Sequence, residues 1–237
     1  NPVSLLHSFH IYFIEALDHI ALLTPWRFIR LFWFFFLLDL PRYIIPDFIV
    51  FFINLFKREP EPFYGLNKKE IPLVSVIVPA RNEEETIGLT LDSLLESTYP
   101  REHLEIIVID DGSEDNTYAI ANRYTNRGNV RVFRKENRGG KASCLMYGFN
   151  VSMGEFIVSV DSDSTFDRYA IPNLLRPFND PSVGAVCGNV KVRNRRENLL
   201  TTMQYCEYLI GISIGRRFLS KVNMLTIISG AFGCYRR

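Results

Sequence analysis
The chain has 237 residues, a formal net charge of +1 and 22% charged side chains. That near-neutral balance excludes a basic nucleic-acid surface and an acidic tail, so partners have to be read from sites rather than from bulk charge. The four cysteines, Cys144, Cys187, Cys206 and Cys234, lack the paired spacing of a metal cluster and are expected as reduced thiols, in keeping with a cytoplasmic domain.

Residues 1–58 read as a membrane-associated segment. Leu6, Phe9, Phe13, Ala16 and Ile20 recur at helical spacing with His7, Glu15, Asp18 and His19 opposite, which predicts an amphipathic helix for a neighbouring domain or a membrane surface. Trp26, Arg27 and Arg30 lead into Leu31-Phe32-Trp33-Phe34-Phe35-Phe36-Leu37-Leu38, and a second apolar run, residues 48–56, precedes Lys57 and Arg58. Aromatics flanked by bases are a membrane signature. Each run is shorter than the roughly 20 apolar residues of a spanning helix, and Asp39, Pro41, Arg42, Pro46 and Asp47 interrupt them. One kinked helix and a hairpin of two half-helices both satisfy this pattern. The bases after Phe56, with Lys68 and Lys69, put the following domain on the cytoplasmic side of the cell membrane. Residues 59–72, with Glu59-Pro60-Glu61-Pro62, form a short stiff linker.

Residues 73–237 alternate strand and helix. Strands are expected at residues 73–78, 105–109, 130–133, 154–160 and within 183–192. The intervening helices carry Ile87, Leu91, Leu94 and Leu95, then Thr117, Ile120, Ala121 and Tyr124, then Ala142, Leu145, Met146 and Phe149. A long helix over residues 198–219 presents Leu199, Met203, Cys206, Ile210 and Ile214. The pattern is that of an α/β sheet with parallel strands.

Ligands of open α/β sheets bind outside the carboxyl ends of the strands. Three polar clusters fall there: Pro79-Ala80-Arg81-Asn82-Glu83, Asp110-Asp111-Gly112-Ser113 and Asp161-Ser162-Asp163. Side chains alternate along a strand, so Asp161 and Asp163 start on one side, and hard carboxylate oxygens suit Mg²⁺ or Mn²⁺. Such an ion lets a diphosphate sit beside carboxylates. Asn137-Arg138-Gly139-Gly140-Lys141 adds glycines for close backbone approach, a helix N-terminus and a lysine for phosphate. It is not a P-loop, because Lys135 stands in place of the first glycine and Ala142 in place of the Ser or Thr.

With Val76-Ile77-Val78-Pro79-Ala80-Arg81-Asn82-Glu83, Asp110-Asp111-Gly112-Ser113-Glu114-Asp115, Gly140-Lys141-Ala142 and Val160-Asp161-Ser162-Asp163, the chain resembles family 2 inverting glycosyltransferases. Gly188-Asn189-Val190-Lys191-Val192-Arg193-Asn194, Gln204-Tyr205-Cys206-Glu207-Tyr208 and Ser229-Gly230-Ala231-Phe232-Gly233-Cys234-Tyr235-Arg236 are similar to the membrane-bound processive synthases of hyaluronan, chitin, cellulose and poly-N-acetylglucosamine. The resemblance implies a nucleotide-diphosphosugar transferase fold (GT-A, Rossmann-like) preceded by N-terminal membrane helices, a UDP-sugar donor, and a growing glycan or lipid-linked acceptor among membrane lipids, with no nucleic acid. By the same resemblance Asp111 contacts the uracil, and Pro79, Ala80, Arg81 and Glu83 frame the nucleoside. Lys141 meets the phosphates, Asp161 lies by the ribose, diphosphate and metal, and Asp163 ligates the metal.

The general base of that family belongs to a Glu-Asp motif after the Ser-Gly-x-x-Gly segment, followed by a Gln-x-x-Arg-Trp motif. The sequence opens without Met and ends at Arg237 before these motifs, so it reads as a fragment whose base is expected beyond Arg237, while Glu197 and Glu207 read as helix-surface carboxylates. Three functions follow: the donor-binding half of a processive polysaccharide synthase, a transferase of single sugars to a lipid carrier, or a non-catalytic nucleotide-holding subunit.

Overall fold
The computed structural model describes residues 71–222 and 224–237, together with helical positions 26, 27, 29, 30, 33, 34, 37, 44–46, 48, 49 and 52. The chain divides into two compact units, Asn1–Phe56 and Lys57–Arg237. The amphipathic helix expected before Ile20 and nearly all of the linker lie outside the described residues, as does most of the expected membrane segment. Among the described residues no helix is long and apolar enough to cross a membrane.

The second unit is built on a six-stranded sheet. Its strands are β1 (Val74–Ala80), β2 (Leu104–Asp110), β3 (Val130–Arg134), β4 (Phe156–Val160), β5 (Ala185–Cys187) and β6 (Phe232–Arg236), in the spatial order β3-β2-β1-β4-β6-β5. The first four run parallel, as expected. The sheet is nevertheless mixed, because β6 inserts antiparallel between β4 and β5. Strand β6 is not among the strands expected from the sequence, and its direction depends on the long return of the chain. The strand expected within residues 183–192 is confined to three residues.

Helices α1 (Ile87–Leu95), α2 (Thr117–Asn122), α3 (Gly140–Val151), α4 (Ala170–Leu175), α5 (Leu199–Tyr208) and α6 (Gly215–Lys221) complete the fold, and a π-helical stretch, Leu209–Ile214, joins the last two. Strand alternation divides the core. Val76, Val78, Ile106 and Val108 bury one face with Ile87 and Leu91 of α1, while Ile77, Ile107, Ile109 and Ile157 bury the other with Cys144 of α3.

Two helical faces differ from expectation. Helix α3 meets the sheet through Cys144 and Gly148, leaving Met146 and Phe149 exposed. A Cβ on Gly148 would stand 2.5 Å from Ile77 Cγ2, so the missing side chain lets the helix approach β1 on that side. On α5, Leu199 and Met203 are exposed. The helix starts at a capping box in which Asn198 Oδ1 accepts from the Thr201 amide, the local signal for its boundary.

A buried network ties the far end of α3 to the amino ends of the strands. Arg131 Nη1 donates to Glu105 Oε1 (2.6 Å) and to the Val151 carbonyl (2.8 Å). Glu105 Oε2 accepts from Ser75 Oγ (2.5 Å) and the Met153 amide (3.1 Å). With that end fixed, the N-terminus of α3 is held at the opposite, carboxyl edge.

Candidate functional site
That edge carries a cleft of about 260 Å³ lined by Pro79, Ala80, Arg81, Glu83, Asp111, Arg138, Gly140, Lys141, Cys144, Asp161, Ser162 and Asp163. Every nucleotide and metal residue expected from the sequence therefore faces one cavity. Arg138, Cys144 and Ser162 join them without an individual signal in the sequence. Arg138 lay within a string already marked by its glycines, Ser162 lay between the two aspartates, and Cys144 gave no signal beyond following Gly140 by one helical turn.

The loops after β1 and β2 hold each other. Register pairs Ala80 with Asp110, and the Asp111 amide donates to the Ala80 carbonyl at 2.9 Å. Asn82, at φ +52°, accepts from the Glu114 amide (3.0 Å) and donates its own amide to Ser113 Oγ (3.0 Å). Asn tolerates the left-handed region better than most residues. The Glu83 amide donates to Thr117 Oγ1 at 2.7 Å, and its carboxylate accepts from Thr86 Oγ1 at 2.7 Å. Arg81 and Glu83 thus start from a cross-linked backbone.

Asp111 is the electrostatic centre of the glycine loop. Its carboxylate accepts from Lys135 Nζ (2.7 Å) and from the amides of Gly139 (2.9 Å) and Gly140 (2.7 Å). Burial by itself raises its pKa, but the lysine and the two amides outweigh that and hold the carboxyl far below the usual range. Gly140 sits at φ +77°, open to glycine at little cost. A Cβ on Gly139 would run into Lys135 Nζ. Lys135, absent from the expected site, is thus the residue that fixes Asp111 and the loop together. Beneath it the Cys144 thiol is pushed up to about 11 by burial and then by the Asp111 charge, which keeps it protonated.

Beside Asp111, Asp110 is fully buried, with Oδ1 accepting from the Ser113 amide. Arg134 Nε approaches Asp110 Oδ2 at 3.3 Å, off the line of a hydrogen bond, and that oxygen has no other partner.

The aspartate pair is positioned from behind. Strand β4 ends at Val160, and the turn that follows buries Ser162 while Asp161 and Asp163 line the cleft. Thr90 Oγ1 of α1 donates to the Ser162 carbonyl at 2.7 Å. Lys141, in the first turn of α3, pairs with Asp161 across the cleft. The Ser229-Gly230-Ala231 turn closes in from the side: Ser159 Oγ donates to the Gly230 carbonyl at 2.9 Å, and a Cβ on Gly230 would lie 3.6 Å from Lys141 Nζ. Glu207 is exposed on α5, as expected.

Comparison with known proteins identifies the family. The chain is 39% identical over 145 residues to a probable glycosyltransferase, YdaM, of Bacillus subtilis, covering 59% of this chain and 34% of that protein. It is 31% identical over 210 residues to a poly-beta-1,6-N-acetyl-D-glucosamine synthase of Staphylococcus epidermidis, covering 86% and 50% respectively. It is 36% identical over 185 residues to a hyaluronan synthase of Streptococcus pyogenes, covering 75% and 43%. The chain therefore spans half or less of the length of these relatives. Among solved structures, the mannosyltransferase PcManGT of Pyrobaculum calidifontis, in complex with GDP-Man and Mn²⁺, superimposes with a TM-score of 0.60 at 28% identity, covering 83% of this chain and 53% of that one. The family model of glycosyl transferase family 2 matches residues 75–237, which is more than half of the sequence, and the chain belongs to that family.

Proposed function
We propose that this chain is the donor-binding part of a membrane-bound glycosyltransferase that uses a UDP-sugar and Mg²⁺ or Mn²⁺ to extend a polysaccharide. The reading rests on one observation: Lys141, Asp161, Asp163 and the N-terminus of α3 converge on a single cleft at the carboxyl edge of the parallel strands. The synthases of hyaluronan and poly-N-acetylglucosamine among the relatives support the polymer, and the Mn²⁺ of the mannosyltransferase complex supports the ion.

The donor set fits a divalent ion of the hard kind. Among the described residues no three His, Cys, Asp or Glu side chains gather as a metal cage. Asp161 and Asp163 offer two carboxylates, and Mg²⁺ or Mn²⁺ characteristically takes its remaining ligands from phosphate oxygens and water. When bound, such an ion neutralises charge on a departing diphosphate. Lys141 and the α3 amides hold the phosphates, Asp111 contacts the base, and Pro79, Ala80, Arg81 and Glu83 frame the nucleoside. These groups bind and orient the donor for displacement at the anomeric carbon. An acceptor hydroxyl also needs a base.

Calorimetric titration with UDP-N-acetylglucosamine, UDP-glucose, UDP-glucuronate and GDP-mannose, with and without Mn²⁺, tests the reading. Asp163→Asn should lose at least tenfold in metal-dependent affinity, about 1.4 kcal/mol, while the domain stays folded. Identical titrations with and without Mn²⁺ would refute it.

Attachment to the membrane through residues 1–58 is part of the same proposal, resting on the aromatic and basic flanks of that segment. The full chain should resist alkaline extraction from membranes, whereas residues 59–237 should stay in the supernatant. Release of the full chain by alkali would disprove the anchor.

A further inference from the structure
Two lysine–aspartate pairs of different character each put their aspartate in the lining of the cleft. Lys135 and Asp111 are 15% and 6% exposed, and Asp111 also accepts two backbone amides. Lys141 and Asp161 are 45% and 33% exposed and lie at the solvent side of the same cavity. The first pair is built into the loop. The second joins one group suited to a phosphate with one suited to a metal ion, and each satisfies the other.

From this we infer that the Lys141–Asp161 pair is an exchangeable latch that makes the site take a divalent ion together with a diphosphate in preference to the bare ion. The inference rests on the donor reading above. While the latch is closed, Lys141 cancels the charge of Asp161, and an arriving cation meets the uncompensated charge of Asp163 alone. A metal–diphosphate complex brings a partner for each half: phosphate oxygens take Lys141, and the cation takes Asp161. The exchange breaks one solvent-exposed pair, which is weak, and forms two, Lys141 with phosphate and Asp161 with the cation. The first-turn position of Lys141 on α3 and the nearby Gly230, whose missing side chain leaves the space beside Nζ open, let the ammonium turn from the carboxylate toward the phosphates without moving the backbone.

The latch gives the two variants opposite signs. Lys141→Met releases Asp161, so affinity for Mn²⁺ alone, read by loss of the free-ion electron paramagnetic resonance signal, should rise about two- to fivefold, the range of an exposed ion pair. The same variant should lose affinity for UDP with Mn²⁺. Asp161→Asn releases Lys141, so affinity for UDP in excess EDTA should rise by a similar factor while the gain on adding Mn²⁺ shrinks. Lys141→Arg keeps the pair and should leave Mn²⁺ affinity within twofold of the parent. Arg138→Met removes a charge lining the same cleft without breaking the pair, and its effect on Mn²⁺ alone should be smaller than that of Lys141→Met.

Thermal unfolding of each variant accompanies the titrations. Unchanged or weakened binding of Mn²⁺ by a folded Lys141→Met protein overturns the latch, and so does an equal gain in Arg138→Met, which would assign the effect to the general field of the cleft. In either case, metal-dependent UDP binding that is lost in Asp163→Asn leaves the donor reading standing. Absence of any metal-dependent nucleotide binding in the parent chain overturns both.

Discussion
The Asp111 carboxylate, which lines the cleft, and the Lys135 ammonium, 24 positions apart in sequence, meet at 2.7 Å. Because Asp111 also accepts the Gly139 and Gly140 amides, the pair joins the end of β2 to the turn that opens α3. The relationship pins the glycine loop to the sheet as well as making an ion pair.

Its pH signature follows from the direction of the shift. The folded-state pKa of Asp111 is depressed below its unfolded value, so the ionised carboxylate contributes stability that is complete above about pH 4 and is lost as pH falls through and below that value. Asp111→Asn should be less stable at neutral pH and show a shallower loss of stability below about pH 4. Urea unfolding across a pH series measures both, and parallel acid limbs in parent and variant would contradict the assignment.

Thr90→Val keeps the shape of the side chain and removes the donor to the Ser162 carbonyl. The buried carbonyl then loses its hydroxyl partner, which costs about 1–3 kcal/mol, and the aspartate turn loses its anchor to α1. Stability in urea should fall by that amount, and Mn²⁺-dependent nucleotide affinity should fall severalfold in the protein that remains folded.

Gly148→Ala sets two effects against each other. Alanine gains about 1 kcal/mol of helix propensity over glycine. A Cβ 2.5 Å from Ile77 Cγ2, with Ile77 Cδ1 at 3.1 Å, overpacks the contact of α3 with β1 at a cost of about 1–3 kcal/mol. Overpacking should dominate, lowering the thermal midpoint and tilting the end of α3 that carries Lys141. An unchanged midpoint would show that the helix shifts freely.

Glu105→Ala strips the buried network at the opposite edge, leaving Arg131, Ser75 Oγ and the Met153 amide without their shared acceptor. Each buried donor left unpaired costs about 1–3 kcal/mol, and several lose their acceptor at once, so this variant should be the least stable of the series. Its folded fraction should also bind UDP more weakly than the parent, because α3 loses the anchor that holds its N-terminus at the cleft. Calorimetry under stabilising conditions separates the two effects.

The sequence by itself determined the strand ends and the chemistry gathered there. Strand alternation and apolar runs are local signals, and Pro79, Arg81, Glu83, Asp111, Lys141, Asp161 and Asp163 follow those runs closely enough that a parallel sheet brings them to one edge. Tertiary structure decided what no window of sequence contains. Strand β6 turns antiparallel because its partners, β4 and β5, are supplied by distant segments. Helix α3 buries Cys144 and Gly148 rather than its larger Met146 and Phe149, since close approach to Ile77 rewards a missing side chain where periodicity rewards a large one. Lys135 is a loop lysine in sequence and the partner of Asp111 in space, and Lys141 finds Asp161 across 20 positions. Charge pairing depends on distance through space, which the fold sets and the local pattern of residues does not.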